Sequence, residues 1–419
     1  MVATALACTA ALVSCSSGPT TSEPSLADQP SGVLAPLDTE AMDAVVDAVA
    51  TESRQVGMVV LIETPEGRYE NAWGSVRSDS AEPPDLDTKV RVGSNTKTWT
   101  GTVILQLVEE GKLSVDDPVS EYRPDVPNGE NITIGQLLDM RSGLYNYSET
   151  AELNAALDNE PTRVWTPEEL LEMAFANAPY FAPGEGYHYS NTNTVLLGLI
   201  AERLDGKPLQ QAFQDRLFGP LGLTDTSFPA TTDSSIPDPH SDGFMYGTNL
   251  ETLGEGNASL PPERLAAIAA GTEQPRNTTD DNPSWAWSAG QGISTASEMA
   301  TWVKALVTGE LLSPATQTLR MDSVQSTDGP GSAGYGYGIA QMGPLYGHIG
   351  EIPGYNAFMG YDPDSDVTVV VWGNLAPTAE GAAPASTLAR ELLAQVYAGP
   401  ATEATDGIAA HEEANGGGR

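Results

Sequence analysis

Cysteine is almost missing from this chain. Of 419 residues only Cys8 and Cys15 carry a thiol, and both lie within the first fifteen. The folded body can therefore hold no disulfide and no thiolate metal site. Histidine is nearly as scarce: His188, His240, His348 and His411 are the full set, and no two stand at a ligating spacing such as HExxH. That argues against a His-rich zinc or iron centre. Basic residues are few as well, with 19 Lys and Arg against 57 Asp and Glu, a formal charge of −38. A polyanion of this strength repels nucleic-acid phosphates and anionic membrane surfaces, so nucleic acid is not expected as a partner. Neither a P-loop, a GxSxG elbow nor an internal repeat is visible.

What is present suffices for a core. Hydrophobic residues make up 40% of the chain, with 7 Trp, 14 Tyr and 7 Phe, and wholesale disorder is not expected. The length allows one large domain or two to three ordinary ones. Residues 1–14 are small and apolar, too short for a mature membrane span, and read as an export signal. They end in Leu12-Val13-Ser14-Cys15, which resembles a bacterial lipobox with Cys15 as the lipidated residue, although no basic segment precedes it. The bland alternative is an Ala-rich disordered leader. Residues 15–36, rich in Ser, Pro and Gly, form a tether, and 400–419 an acidic disordered tail.

Between these ends the pattern is mixed. Met42, Val45, Val46 and Val49 share one face of a helix over Thr39–Ser53. Two hairpins are predicted, Met58–Glu63 with Arg68–Ser75 and Tyr355–Tyr361 with Val367–Trp372, and a helix over Ala385–Val396 closes the fold. The middle is mostly helical, including Thr98–Glu110, Thr166–Ala176 and Thr194–Leu204. Strands at both ends with helices between predict an α+β sandwich: an antiparallel sheet built from the N- and C-terminal segments, flanked by helices, with an inserted mostly helical lobe. The expected limits are a sheet lobe of about 37–92 and 285–399 and a helical lobe of about 93–284.

Three patterns carry chemistry. Ser94-Asn95-Thr96-Lys97 is an SxxK at a helix start, where residues three apart share a face and an amine can reach a hydroxyl. A serine needs a neighbouring base to become a nucleophile, and a lysine made neutral by burial and by other cations can serve. The plain alternative is an N-capping serine with a solvent-facing lysine. Tyr189-Ser190-Asn191 leads from a Pro-Gly loop into an apolar helix, where phenol and amide offer a proton relay and a clamp, or Asn191 and Asn193 merely cap the helix. His348-Ile349-Gly350 lies on a strand, where Gly permits close backbone approach and His can donate a hydrogen bond or share a proton, unless the histidine is simply structural. Each is weak alone; all three in this order are expected by chance only about 0.015 times in such a composition.

With these motifs the chain resembles the serine β-lactamase and DD-peptidase superfamily, specifically class C β-lactamases, DD-carboxypeptidases and related esterases. Arg91-Val-Gly-Ser94-Asn-Thr-Lys97, Leu105-Gln-Leu-Val-Glu-Glu-Gly-Lys-Leu113, Arg141-Ser-Gly-Leu144, Phe181-Ala-Pro-Gly184, Pro220-Leu-Gly-Leu223 and Ser288-Ala-Gly290 extend the likeness over roughly 38 to 398. The resemblance implies an acyl-enzyme on Ser94. Lys97 would be its base, or would tune Tyr189 as phenolate base and proton shuttle. Asn191 would hold Lys97 and the substrate amide. His348, Ile349 and Gly350 would form the third substrate-binding motif, and the backbone N–H groups of Ser94 and Glu351 the oxyanion hole. No metal or organic cofactor is implied.

Two departures bear on substrate. Ile349 stands where the family has a threonine that helps bind a carboxylate, and 338–347 carries no Arg or Lys, with Glu351 following the motif. Arg276 or Arg320 could compensate from elsewhere. The leading expectation is an exported carboxypeptidase-like hydrolase of cell-wall-type D-amino-acid peptides, lipid-anchored at Cys15 in the cell envelope. The alternatives are an esterase or amidase, then a β-lactamase, and lastly a non-catalytic binder of cell-wall fragments.

Overall fold

The computed structural model describes residues 33–252, 259–327, 329 and 333–397. The expected signal 1–14, Cys15, the tether up to residue 32 and the tail 400–419 lie outside the described residues.

Strands run in chain order as β1 (Gly57–Thr64), β2 (Gly67–Gly74), β3 (Val90–Arg91), β4 (Phe244–Met245), β5 (Arg276–Asn277) and β6 (Ile293–Ser294). They continue as β7 (Gln325–Ser326), β8 (Gly334–Gly336), β9 (Ile339–Met342), β10 (Leu345–Ile352), β11 (Tyr355–Asp362) and β12 (Val367–Gly373). Eight form one antiparallel sheet in the order β2-β1-β12-β11-β10-β9-β8-β7. The N-terminal hairpin is thus sewn to the C-terminal one, Met58 opposite Gly373 and Glu63 opposite Thr368. β3 pairs with β6 and β4 with β5 in two small ribbons.

The sheet is buried on both faces because its central strands are apolar at most positions. Met58, Val60 and Ile62 of β1 meet Val46, Leu388 and Leu392 from the helices Thr39–Glu52 and Pro384–Val396. Val59 and Leu61 point the other way, into a larger core with Val103 of Thr96–Glu109 and Val303 of Ala296–Thr308. Alternation at period two divides one strand between two cores. The remaining helices form the layer beyond this second face, among them Pro167–Phe175, started by a reciprocal Thr166–Glu169 cap.

Most expected elements occur within a few residues of their anticipated bounds. Two differences matter for the site. The helix that follows Ser94 does not start at Thr98: a 3-10 turn Gly93–Asn95 runs directly into Thr96–Glu109. Likewise the helix expected from Thr194 starts at Asn191, with Ser190 as its flanking residue.

Candidate active site

Ser94 sits on the 3-10 turn, pressed against β10 by two close backbone approaches. A Cβ on Gly350 would stand 1.9 Å from the Val92 carbonyl oxygen. A Cβ on Gly93, whose φ is +52°, would stand 2.7 Å from the Glu351 nitrogen. Only glycine fits either place, and the two contacts bring the backbone of Glu351 beside that of Ser94.

Three residues on, Lys97 lies one helical turn along the same face. Its Nζ is 2.9 Å from Ser94 Oγ and donates to the Ala289 carbonyl at 2.8 Å. The side chain is buried, and burial alone pushes its amine well below the usual lysine range. Other cations, expected from sequence to act together with burial, add nothing to this shift among the described residues. With one N–H spent on Ala289, the amine lone pair is free to face the serine proton.

Tyr189 arrives on a segment held by the neighbouring landmarks: the Tyr180 N–H donates to the Gly143 carbonyl, Gly184 to Arg141 and His188 to Met140. Its ring centroid is 4.8 Å from Lys97 Nζ, and its buried hydroxyl makes no hydrogen bond of good geometry among the described residues. Burial drives the phenol well above its usual range, opposed by the adjacent Ser94 hydroxyl. These shifts favour a neutral Lys97 beside a protonated Tyr189 over a phenolate base.

Asn191 is a correction. It neither caps the helix nor holds Lys97: its amide donates to Ser148 Oγ at 2.9 Å, and its backbone N–H to Asn146 Oδ1 at 3.0 Å. Because the helix starts three residues early, Asn191 occupies its first turn and faces the segment 146–149. The work of holding Lys97 falls to the Ala289 carbonyl, inside a Ser-Ala-Gly landmark that carried no assigned role. Asn193, the other capping candidate, is buried and accepts from Ser142 Oγ at 2.6 Å.

His348 is buried on β10. Its Nδ1 lies 2.6 Å from the Ile349 carbonyl oxygen and its Nε2 3.0 Å from the Tyr335 hydroxyl. Burial first, then Lys97, lowers its pKa to about 3. It is a neutral ring, not a cation.

Ser94 lies at the junction of two clefts. One, of about 390 Å³, is mixed, with Asn146, Ser148, Glu149 and Asn191 on its walls beside Trp285 and Ile352. The other, of about 370 Å³, is walled by Tyr187, Tyr335, Ala340, Met342 and Ile349. Among the described residues neither cleft is lined by Lys or Arg. The two arginines that could have compensated are engaged elsewhere: Arg276 pairs with Asp281 at 2.8 Å, and Arg320 is buried against Thr102 and the Leu306 carbonyl. No group of three or more His, Cys, Asp or Glu side chains converges among the described residues as a metal would require. Glu149, which sequence did not single out, accepts from Asn146 and Tyr180 and lies 3.0 Å from His188 Nε2, fixing the polar wall.

The Beta-lactamase family model matches residues 42–394. Escherichia coli AmpH, a D-alanyl-D-alanine-carboxypeptidase/endopeptidase, is 25% identical over 80% of this chain and 83% of its own. Esterase EstB of Burkholderia gladioli is 34% identical over 48% of this chain and 54% of its own. The penicillin-binding protein PbpX of Bacillus subtilis, named as putative, is 27% identical over 69% of this chain. The matches span 62% of PbpX and about half of EstB. Among solved structures, a D-stereospecific amidohydrolase from Streptomyces superposes with a TM-score of 0.70 at 28% identity, covering 84% of this chain and 98% of that one.

Proposed function

The chain belongs to the β-lactamase family of serine hydrolases, and from that premise we propose that it hydrolyses amides, peptides or esters of D-amino acids through an acyl-enzyme on Ser94. The observation that carries this reading is the buried Lys97 amine 2.9 Å from Ser94 Oγ. Lys97 takes the hydroxyl proton as Oγ attacks the substrate carbonyl carbon. The oxyanion develops between the N–H groups of Ser94 and Glu351. Tyr189, protonated and between base and cleft, delivers a proton to the leaving amine or alcohol as its bond to carbon breaks. Lys97 passes the proton it took from Ser94 to the Tyr189 phenolate, then takes a proton from the water that adds to the acyl carbon and returns it to Ser94 Oγ as the acyl–oxygen bond breaks.

The substrate favoured here bears no free carboxylate beside the scissile bond, because no Lys or Arg lines either cleft and an unpaired buried carboxylate costs several kcal/mol. The second reading is a DD-carboxypeptidase acting on cell-wall peptides, supported by the likeness to AmpH over 80% of this chain. Export and lipid attachment at Cys15 belong to the same proposal and rest on the sequence of residues 1–15.

Replacing Ser94 with Ala is expected to reduce turnover of a neutral ester and a D-amino-acid amide by about 10³-fold or more, with the unfolding transition unchanged. Retained turnover overturns the proposal. A kcat/KM higher on a D-Ala-D-Ala peptide than on its neutral amide favours the carboxypeptidase reading.

A further inference from the structure

A strand histidine beside an acylating serine offers a natural donor for an anionic substrate, yet here both of its nitrogens are occupied. The Ile349 carbonyl can only accept, so Nδ1 of His348 carries the proton. Nε2 is then a lone pair, and the Tyr335 hydroxyl at 3.0 Å must be its donor. Tyr335 is buried on β8, and its phenol is held protonated far above the usual range by burial. Its ring stands edge-on to His348 at 5.6 Å and to Tyr189 at 5.9 Å. The titratable groups facing the imidazole are therefore Lys97 from its helix, Tyr189 from the segment before Asn191, and Tyr335 from β8, with Asp139 acting on Tyr335.

Resting on the hydrolase reading above, we propose that Tyr335 is a specificity-determining positioning residue, which fixes His348 as a neutral Nδ1–H tautomer and so removes the one ring donor that could meet a substrate carboxylate. A donor to the lone pair stabilises the neutral ring alone. The same hydroxyl places an aromatic wall against Tyr189 while presenting no charge to the apolar cleft that Tyr335 and His348 both line. The exclusion of anionic substrates then has one removable contributor beside the absence of Lys and Arg from both clefts.

The test is imidazole ¹⁵N NMR of the full chain between pH 4.5 and 8, tractable with four histidines, together with turnover at pH 5.5. In the native protein one imidazole is expected to remain the neutral Nδ1–H form throughout. In Tyr335→Phe, which keeps the ring and removes the hydroxyl, that signal is expected to titrate at higher pH. The preference for a neutral D-alanyl amide over the matching D-Ala-D-Ala carboxylate should also fall about tenfold. A native His348 protonated at Nε2, or one that titrates between pH 4.5 and 8, overturns the proposal even if Tyr335→Phe does not fold. An unchanged tautomer and preference in a folded variant overturns it too. Failure of the hydrolase reading is distinguishable: neither substrate is turned over, whatever the imidazole spectrum shows.

Discussion

At the scale of single residues the site depends on one displaced protonation equilibrium. Lys97 is buried and pairs with no carboxylate among the described residues, so burial holds its amine well below the range of a solvated lysine. The sign for activity follows directly. As pH falls through the lowered Lys97 pKa the base becomes protonated and acylation slows; as pH rises the rate climbs to a plateau. The acid limb of kcat/KM should therefore lie well below the ordinary lysine value of about 10.4, and a limb at that value would contradict the assignment. Lys97→Arg, a permanent cation, should lose about 10²- to 10⁴-fold in acylation rate at every pH, measured by pre-steady-state release of a chromogenic leaving group.

At the scale of elements, the proposed oxyanion pair depends on how closely β10 lies against the turn that carries Ser94. Gly350→Ala puts a methyl 1.9 Å from the Val92 carbonyl oxygen, so strand and turn must separate. The expected cost in stability is about 1–3 kcal/mol, read by denaturant unfolding, while the acylation rate falls further than the lost folded population explains. A variant as active per folded molecule as the native protein would show that the separation is harmless. Sequence made this pairing of elements legible only in part. Ser94, Lys97, Tyr189 and His348 could be read from short motifs because the chemistry fixes residue type and spacing locally. The Ala289 carbonyl, the Ser148 partner of Asn191 and the Tyr335 hydroxyl could not, since each reaches its partner from a distant segment and carries no local signature. The expectation that Asn191 holds Lys97 differs from the structure for a related reason: its amide is taken up by Ser148 on a segment more than forty residues away, which no local pattern announces.

At the scale of the whole molecule the excess of acid is the dominant electrostatic fact. Many of the scarce cations are spent in local clusters, as Arg216 is on Asp205 and Glu110, and Arg264 on Glu251 and Glu273. The remaining carboxylates repel one another across the surface, a destabilisation that salt screens over about 8–10 Å at moderate ionic strength. The melting temperature should rise by several degrees between about 50 mM and about 1 M sodium chloride, followed by circular dichroism. A flat response would mean that the repulsion is already neutralised by geometry. The fold class was legible at this scale, because apolar strands clustered at the two ends of the chain and helical periodicity filled the middle.

The seam between β1 and β12 has a consequence for how the protein comes into being. Met58 finds its partner in Gly373, and every rung of that ladder joins residues about three hundred positions apart. During synthesis the N-terminal hairpin emerges with one edge bare and stays so until the last strand has been made. That seam can therefore close only late in synthesis, and a chain interrupted before β12 is left with an exposed strand edge open to other chains.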